Sequence, residues 1–180
     1  VITTLGDVIL EIADKTSEQG KRKLLVSSAV LSNASPVFSK MFSGGSYAGH
    51  ALSTTSPQTV PLPDDDPNSI FLICLITHLK IFKLPEMLNM TDFTNFAHVC
   101  HKYSCVEAVH THSIVWCSFL MQYPEDAGFE KLILATHFLD LHISFNRVTQ
   151  SIIRDRSAII NIATAMEGHE KLPVDLFKKV

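Results

Sequence analysis

The pattern of apolar and polar residues is strand-like near the start of the chain. Short apolar runs at residues 8–12 and 23–27, bounded by polar residues, predict two β-strands. The polar segment between them, which ends around Gly20, predicts a hairpin loop. Residues 59–62 predict a third strand, and Pro61 indicates that this strand lies at a sheet edge or ends early.

Helical spacing dominates the rest of the pattern. Residues 28–34 and 36–42 predict two short helices, the second capped by Ser35 with Pro36 in its first turn. Asp66 and Pro67 begin a longer helix that continues to about residue 82 and is apolar on nearly all sides, so it is predicted to be central and buried.

Further helices are predicted nearer the C-terminus, and one long segment has no periodic pattern. Residues 43–58 are rich in Gly, Ser and Thr and predict a mobile loop. Helices are predicted at residues 91–103, 106–119, 127–141 and 145–155 and after Pro173, while residues 158–166 fit a helix or a strand. Three strands followed by many helices predict an α+β fold with an all-helical tail.

Composition and charge narrow the functional classes. The chain has 180 residues, 46% of them hydrophobic and 18% charged, which is typical of a core-rich globular domain. Its net charge of −3 is spread evenly, so no basic face is predicted that would bind nucleic acid. No apolar run is long enough to predict a membrane span. The first residue is Val1 instead of Met, which predicts a fragment of a longer protein.

The four cysteines predict buried free thiols, because each lies in an apolar pattern and none has the spacing of a disulfide framework. They are Cys74, Cys100, Cys105 and Cys117. This usage predicts an intracellular protein, nuclear or cytoplasmic.

A cluster of histidines and cysteines is the strongest candidate for chemistry. Its members are His98, Cys100, His101, Cys105, His110 and His112. Zinc binding is one alternative, with His98, His101 and Cys105 on one helical face, but structural zinc sites usually have Cys-x-x-Cys spacing, which this chain lacks. A nucleophilic Cys105 beside His101 would need an orienting third group, and none is visible. Phosphate-binding and dinucleotide motifs do not occur, so we predict no catalytic activity, cofactor or metal.

Four segments of the chain form a recognisable series. They are residues 6–8 (GDV), 30–42 (VLSNASPVFSKMF), 60–66 (VPLPDDD) and 101–105 (HKYSC). In this order they resemble a BTB/POZ domain of the fungal type. Residues 132–140 (LILATHFLD) and 145–150 (FNRVTQ), then Leu172 and Pro173, resemble the helical segment that follows the domain in fungal members. The resemblance implies a BTB/POZ domain at residues 1–123 and a helical extension at 124–180. It also implies a small three-stranded mixed sheet flanked by a cluster of helices.

Functionally, the resemblance implies a non-enzymatic protein–protein interaction module that forms homodimers or hetero-oligomers. An adaptor subunit of a cullin-type ubiquitin ligase is the alternative, and a zinc-binding protein is the second. The predicted interaction residues are Asp7, Val30, Phe38, Lys40, Met41, Phe42 and Tyr47. Some of the apolar members are expected to pack in the core, and the pattern does not indicate which of them face outward.

Two departures from the family pattern bear on how such a module would associate. In zinc-finger members a buried Asp–Arg pair lines the dimer interface; Asp7 matches the Asp, but Ser28 stands at the Arg position. Cullin-binding members often carry a Glu in the loop after the second short helix, and residues 43–58 contain none.

Overall fold

A computed structural model of the chain describes residues 1–18, 20–44 and 52–155. Within this part the fold is α+β, with one small three-stranded mixed sheet and seven α-helices, which confirms the predicted class. The strands are β1 (Val8–Ala13), β2 (Lys21–Val26) and β3 (Gln58–Leu62). The helices are α1 (Ser28–Ala34), α2 (Pro36–Gly44), α3 (Pro67–Thr77), α4 (Met90–Lys102), α5 (Val106–Leu120), α6 (Lys131–Phe138) and α7 (His142–Asp155).

Strand β1 lies at the centre of the sheet, in the order β2-β1-β3. It pairs antiparallel with β2, as the hairpin prediction requires, and parallel with β3. Leu10 lies opposite Leu24 on one side and Val60 on the other, and all three side chains are buried. The alternation of buried and exposed positions therefore turns one face of the sheet toward the core. Strand β3 is an edge strand, as Pro61 predicted.

Helix α3 is shorter than predicted. The prediction that it continues to about residue 82 is wrong, because it ends at Thr77 and only a 3₁₀ turn follows at Ile81–Lys83. Leu79 adopts a left-handed backbone with φ of 57°, and the Lys80 N–H donates to the Leu75 carbonyl at 2.8 Å. This closing motif usually carries a glycine, and a leucine in that place gave no stop signal in the sequence.

Other element bounds also differ from prediction. Helix α6 was predicted over residues 127–141, but Gly128 at φ 87° and Asp140 at φ 53° keep both ends out of the helix. Helix α2 continues through Gly44, so residues 43 and 44 of the loop predicted at 43–58 are helical. Helix α7 begins three residues before the predicted start at 145. Residues 45–51, 158–166 and the predicted helix after Pro173 lie outside the described residues.

The chain forms two compact units. Unit 1 comprises Val1–Pro85 with His98–Val109, and unit 2 comprises Glu86–Ala97 with the chain from His110 onward. The predicted domain boundary after residue 123 stays a prediction. In unit 1, α3 packs against α1 and β2, and its buried residues confirm the predicted central helix.

Unit 2 has its own apolar core. The Phe96 and Trp116 rings meet edge to face with centroids 5.4 Å apart, and α6 packs against α7. Phe129, Leu132 and Leu139 are among its fully buried side chains. Across both units, the described chain includes no helix with the length and apolar content that a bilayer span demands.

Candidate functional site

Asp7 ties the start of β1 to the start of α1. One of its carboxylate oxygens accepts the Ser28 backbone N–H at 2.7 Å, and the other accepts the Ser28 hydroxyl at 2.6 Å. The N-cap residue, Ser27, makes no capping bond with its own side chain. The Asp7 carboxylate therefore satisfies an N-terminal donor of α1 from a distant part of the chain, and negative charge at a helix N-terminus is favourable.

The predicted interaction residues of α1 and α2 divide between core and surface. Phe38 is completely buried, Phe42 is buried, and the Phe38 ring stacks on that of Tyr103 with centroids 4.4 Å apart. Both phenylalanines therefore belong to the core of unit 1. Val30 and Met41 are half-buried and Lys40 is exposed, so these three remain at the surface. Tyr47 lies outside the described residues.

Val30 opens onto a shallow groove of about 330 Å³, called here the unit 1 groove. Leu5 and Leu79, which are 75% and 80% exposed, supply the rest of its apolar surface. Thr3, Ser27, Thr77, His78 and Lys80 complete the lining. Among the described residues that line this groove, Lys80 supplies a positive charge and none is a carboxylate.

Two more apolar side chains extend the exposed surface along the chain from Leu79. Phe82 is fully exposed, and Ile81 is 41% exposed. Large apolar side chains concentrated in this way are typical of contact sites, whereas single exposed ones are ordinary. Sequence reasoning placed Leu79, Ile81 and Phe82 inside the long helix and so missed them.

His78 anchors the groove to the rest of unit 1. Its Nε2 accepts the Ser27 N–H at 3.0 Å, so that nitrogen carries no proton, and Nδ1 donates to the Cys74 carbonyl at 2.9 Å. Burial lowers the pKa of His78, an effect that the bond to Cys74 partly opposes and the charge of Lys80 increases. The neutral imidazole therefore joins the end of α3 to the start of α1.

A buried carboxylate fixes α2 and the end of α4 within unit 1. Asp65 accepts hydrogen bonds from Lys102 Nζ at 2.6 Å and from the Tyr103 hydroxyl at 2.7 Å. The Tyr103 carbonyl accepts the Ser35 hydroxyl, which itself accepts the Phe38 N–H and caps α2 as predicted. Burial, with the hydrogen bond to Asp65, raises the pKa of Tyr103. These contacts position the helix that carries Lys40 and Met41.

The cysteines are buried free thiols, as predicted. Burial raises the pKa values of Cys74 and Cys100 and raises that of Cys117 to about 11. The Cys105 thiol lies in the link between α4 and α5, is buried, and donates to the Cys100 carbonyl at 3.7 Å. Buried thiols of this kind pack as small apolar groups.

The histidines and cysteines considered as an alternative zinc site do not come together as a ligand set. His98, His101 and His110 are exposed and His112 is half-buried, whereas Cys100 and Cys105 point into the core of unit 1. In the described part of the chain, no group of three or more His, Cys, Asp and Glu residues could hold a metal ion.

In comparisons with known proteins, no family model and no curated protein matches the chain.

Proposed function

We propose that this chain is a non-enzymatic protein–protein interaction module of BTB/POZ type, which acts by homo- or hetero-oligomerisation. Its mechanism is the burial of apolar surface against another protein chain. The fold class, α+β with a small mixed sheet and many helices, agrees with such a module.

The observation that carries the proposal is the apolar surface of unit 1. Leu5, Val30 and Leu79 line a groove, and Phe82 extends from the same segment into solvent. Leaving a Phe side chain in water forgoes about 1.5–3 kcal/mol that its burial would contribute. A partner that covers these side chains recovers that free energy, with the small polar residues of the groove at the rim of the contact.

The buried polar groups of unit 1 favour the same function. Asp65, Tyr103 and Ser35 hydrogen-bond to one another or to backbone, which is the arrangement of a structural network. The thiols that could act as nucleophiles are buried. A reactive thiolate needs an electropositive and partly exposed setting.

Site-specific photo-crosslinking of the full chain tests the proposal. A benzophenone amino acid replaces Phe82 in one variant and Val115 in another, since both side chains are exposed and Val115 lies on α5 in unit 2. Irradiation in an extract of the native cells should give a discrete protein adduct from position 82. The partner, once identified and purified, should give the same adduct with the purified chain.

The Leu79→Asn substitution provides the matched test of the groove. Asn tolerates the left-handed backbone of residue 79, so this variant removes apolar surface without adding strain. It should reduce the adduct at position 82 at least severalfold. The proposal is wrong if position 82 gives no more protein adduct than position 115, or if Leu79→Asn leaves every adduct unchanged.

A further inference from the structure

Two grooves of opposite charge lie on unit 2, and residues from the end of α5 contribute to both, Ser118 to one and Phe119 and Leu120 to the other. The first, called here the acidic groove, measures about 840 Å³ and has Asp92 and Asp126 as the charged residues among the described residues that line it. The second, called here the basic groove, measures about 380 Å³, and the charged residues of the described ranges that line it are Arg147 and Arg154. The described lining of each groove thus carries charge of a single sign.

The acidic groove also contains an aromatic surface. Tyr123 is 46% exposed, and its ring lies 5.4 Å from that of Phe119. Asp92 is held in place by Asn89, whose amide donates to its carboxylate at 2.8 Å. An aromatic face beside carboxylates is a setting that suits an arginine, which can stack on the ring and pair with the acid at once.

Helix α7 presents arginine together with an apolar residue. Arg147 is exposed, and Ile143, one turn earlier on the same helix face, is 73% exposed. Arg154 follows Arg147 two turns later on that face. This face therefore combines a cation with an apolar contact, which complements the carboxylates and the aromatic rings of the acidic groove.

We propose that unit 2 pairs with unit 2 of a second copy of this chain, with the Arg147 face of α7 from each copy seated in the acidic groove of the other. A twofold axis makes the two contacts identical, because each copy carries both surfaces. Because the contact occurs twice, the dimer buries twice the area of a single contact. Stable interfaces bury roughly 1,600 Å² in total, so this repetition favours a stable dimer. This pairing rests on the proposed function and assigns self-association to a surface distinct from the unit 1 groove.

Charge-swap complementation of the full chain tests the pairing. The variants are Arg147→Glu and Asp126→Lys, and each is first shown to keep the wild-type circular dichroism and melting temperature. By sedimentation equilibrium at low salt, the wild type should dimerise and each variant alone should associate at least tenfold more weakly.

An equimolar mixture of the two variants should recover dimers. In the mixed pair, the introduced glutamate of one copy faces the introduced lysine of the other, and the second contact keeps its original arginine and aspartate. Lys131→Glu, a reversal of an exposed charge on α6 that lines neither groove, should dimerise like the wild type.

The outcomes separate this inference from the proposed function. A wild type that stays monomeric at high micromolar concentration in low salt overturns the pairing, and so does an Arg147→Glu variant that dimerises normally. In either case the crosslinking result at position 82 still decides the proposed function. If both unit 2 variants dimerise like the wild type but Leu79→Asn does not, self-association lies in unit 1 and the pairing is rejected.

Discussion

Ser28 donates two hydrogen bonds to a single carboxylate, that of Asp7, through its backbone N–H and its hydroxyl. In the zinc-finger members of the family that the sequence resembles, an arginine stands at the position of Ser28. In this chain a neutral serine satisfies both carboxylate oxygens within one unit. The pair is therefore a link between β1 and α1.

Removal of this link should destabilise the chain. We expect Asp7→Ala to lower the free energy of unfolding by about 1–3 kcal/mol, because the first turn of α1 loses its cap and Ser28 its acceptor. Asp7→Asn should cost less, since its amide oxygen still accepts the N–H. Urea denaturation measures both, with the exposed Asp64→Ala as the control. Equal losses in the Asp7 and Asp64 variants would refute the capping role.

The hydroxyl of Tyr103 should stabilise the fold through its hydrogen bond. A variant that lacks only this hydroxyl keeps the contacts of the ring. Tyr103→Phe removes a hydrogen bond to the buried carboxylate of Asp65, and we expect a loss of about 1.5–3 kcal/mol. The same substitution at Tyr123, whose side chain is 46% exposed, should change the unfolding free energy by less than about 0.5 kcal/mol. Thermal or urea unfolding of the two variants compares them directly. Similar effects at both positions would mean that the Asp65 contact contributes little.

Stability should decrease in mild acid because of His78. In the unfolded chain a histidine takes up a proton near pH 6.5, whereas burial lowers the pKa of His78 in the fold. Between those two values only the unfolded state is protonated, so the free energy of unfolding falls as the pH drops below about 6.5. The fall levels off below the folded pKa. Unfolding free energies measured between about pH 5 and pH 8, the range in which histidine titrates, check this expectation.

His78→Gln identifies the histidine responsible for this acid dependence. The variant should be less stable at neutral pH, because Gln has no donor at the position of the ring Nδ1 that bonds to the Cys74 carbonyl, and its acid slope should be smaller than that of the wild type. His110→Gln, at an exposed position of α5, should keep the full slope. A wild-type slope in the His78 variant would assign the effect to another group.

All four thiols should be protected in the folded chain. Each is buried, and burial raises the pKa values of Cys74, Cys100 and Cys117, so little thiolate is available for reaction. A colorimetric disulfide reagent should label them orders of magnitude more slowly in buffer than in denaturant, where it should report 4 thiols per chain. Rapid labelling of one cysteine in buffer would show that its surroundings open readily.

Gly6 should accept no larger side chain. A Cβ atom at this position would lie 2.6 Å from Leu25 Cγ and 2.7 Å from the Val26 carbonyl oxygen. We therefore expect Gly6→Ala to cost about 1–3 kcal/mol through overpacking. Gly20→Asn is the matched control, because Gly20 has open space around it and Asn tolerates its φ of 66°. Equal stability of the two variants would show that β2 can move aside.

The sequence predicted most elements because their signals are local. Asp66 caps α3 with Pro67 after it, and Ser35 caps α2, as the residue types alone indicated. The apolar character of α3 predicted its burial correctly. The ends of α3 and α6 were harder to predict, because Leu79 and Asp140 occupy the left-handed positions that follow these helices, where glycine is the usual signal.

Prediction of the candidate surfaces depended on where the helices end. With α3 ending at Thr77, the three apolar residues after it leave the helix and reach solvent. Phe38 and Phe42 show the converse, since spacing alone could not separate a core position from a contact position. The two charged grooves of unit 2 combine residues far apart in sequence, and periodicity within single helices contains no signal for such a set.

The edges of the sheet constrain how this chain can meet others. In the described sheet, β2 carries Lys21, Arg22 and Lys23 along one border, and Pro61 interrupts the donors of the other. Cationic and proline-bearing borders resist the stacking of strands from separate molecules. Although this chain exposes leucine and phenylalanine side chains to solvent, its sheet edges therefore disfavour assembly into fibrils by strand pairing. Association with another protein must then depend on contacts between side chains.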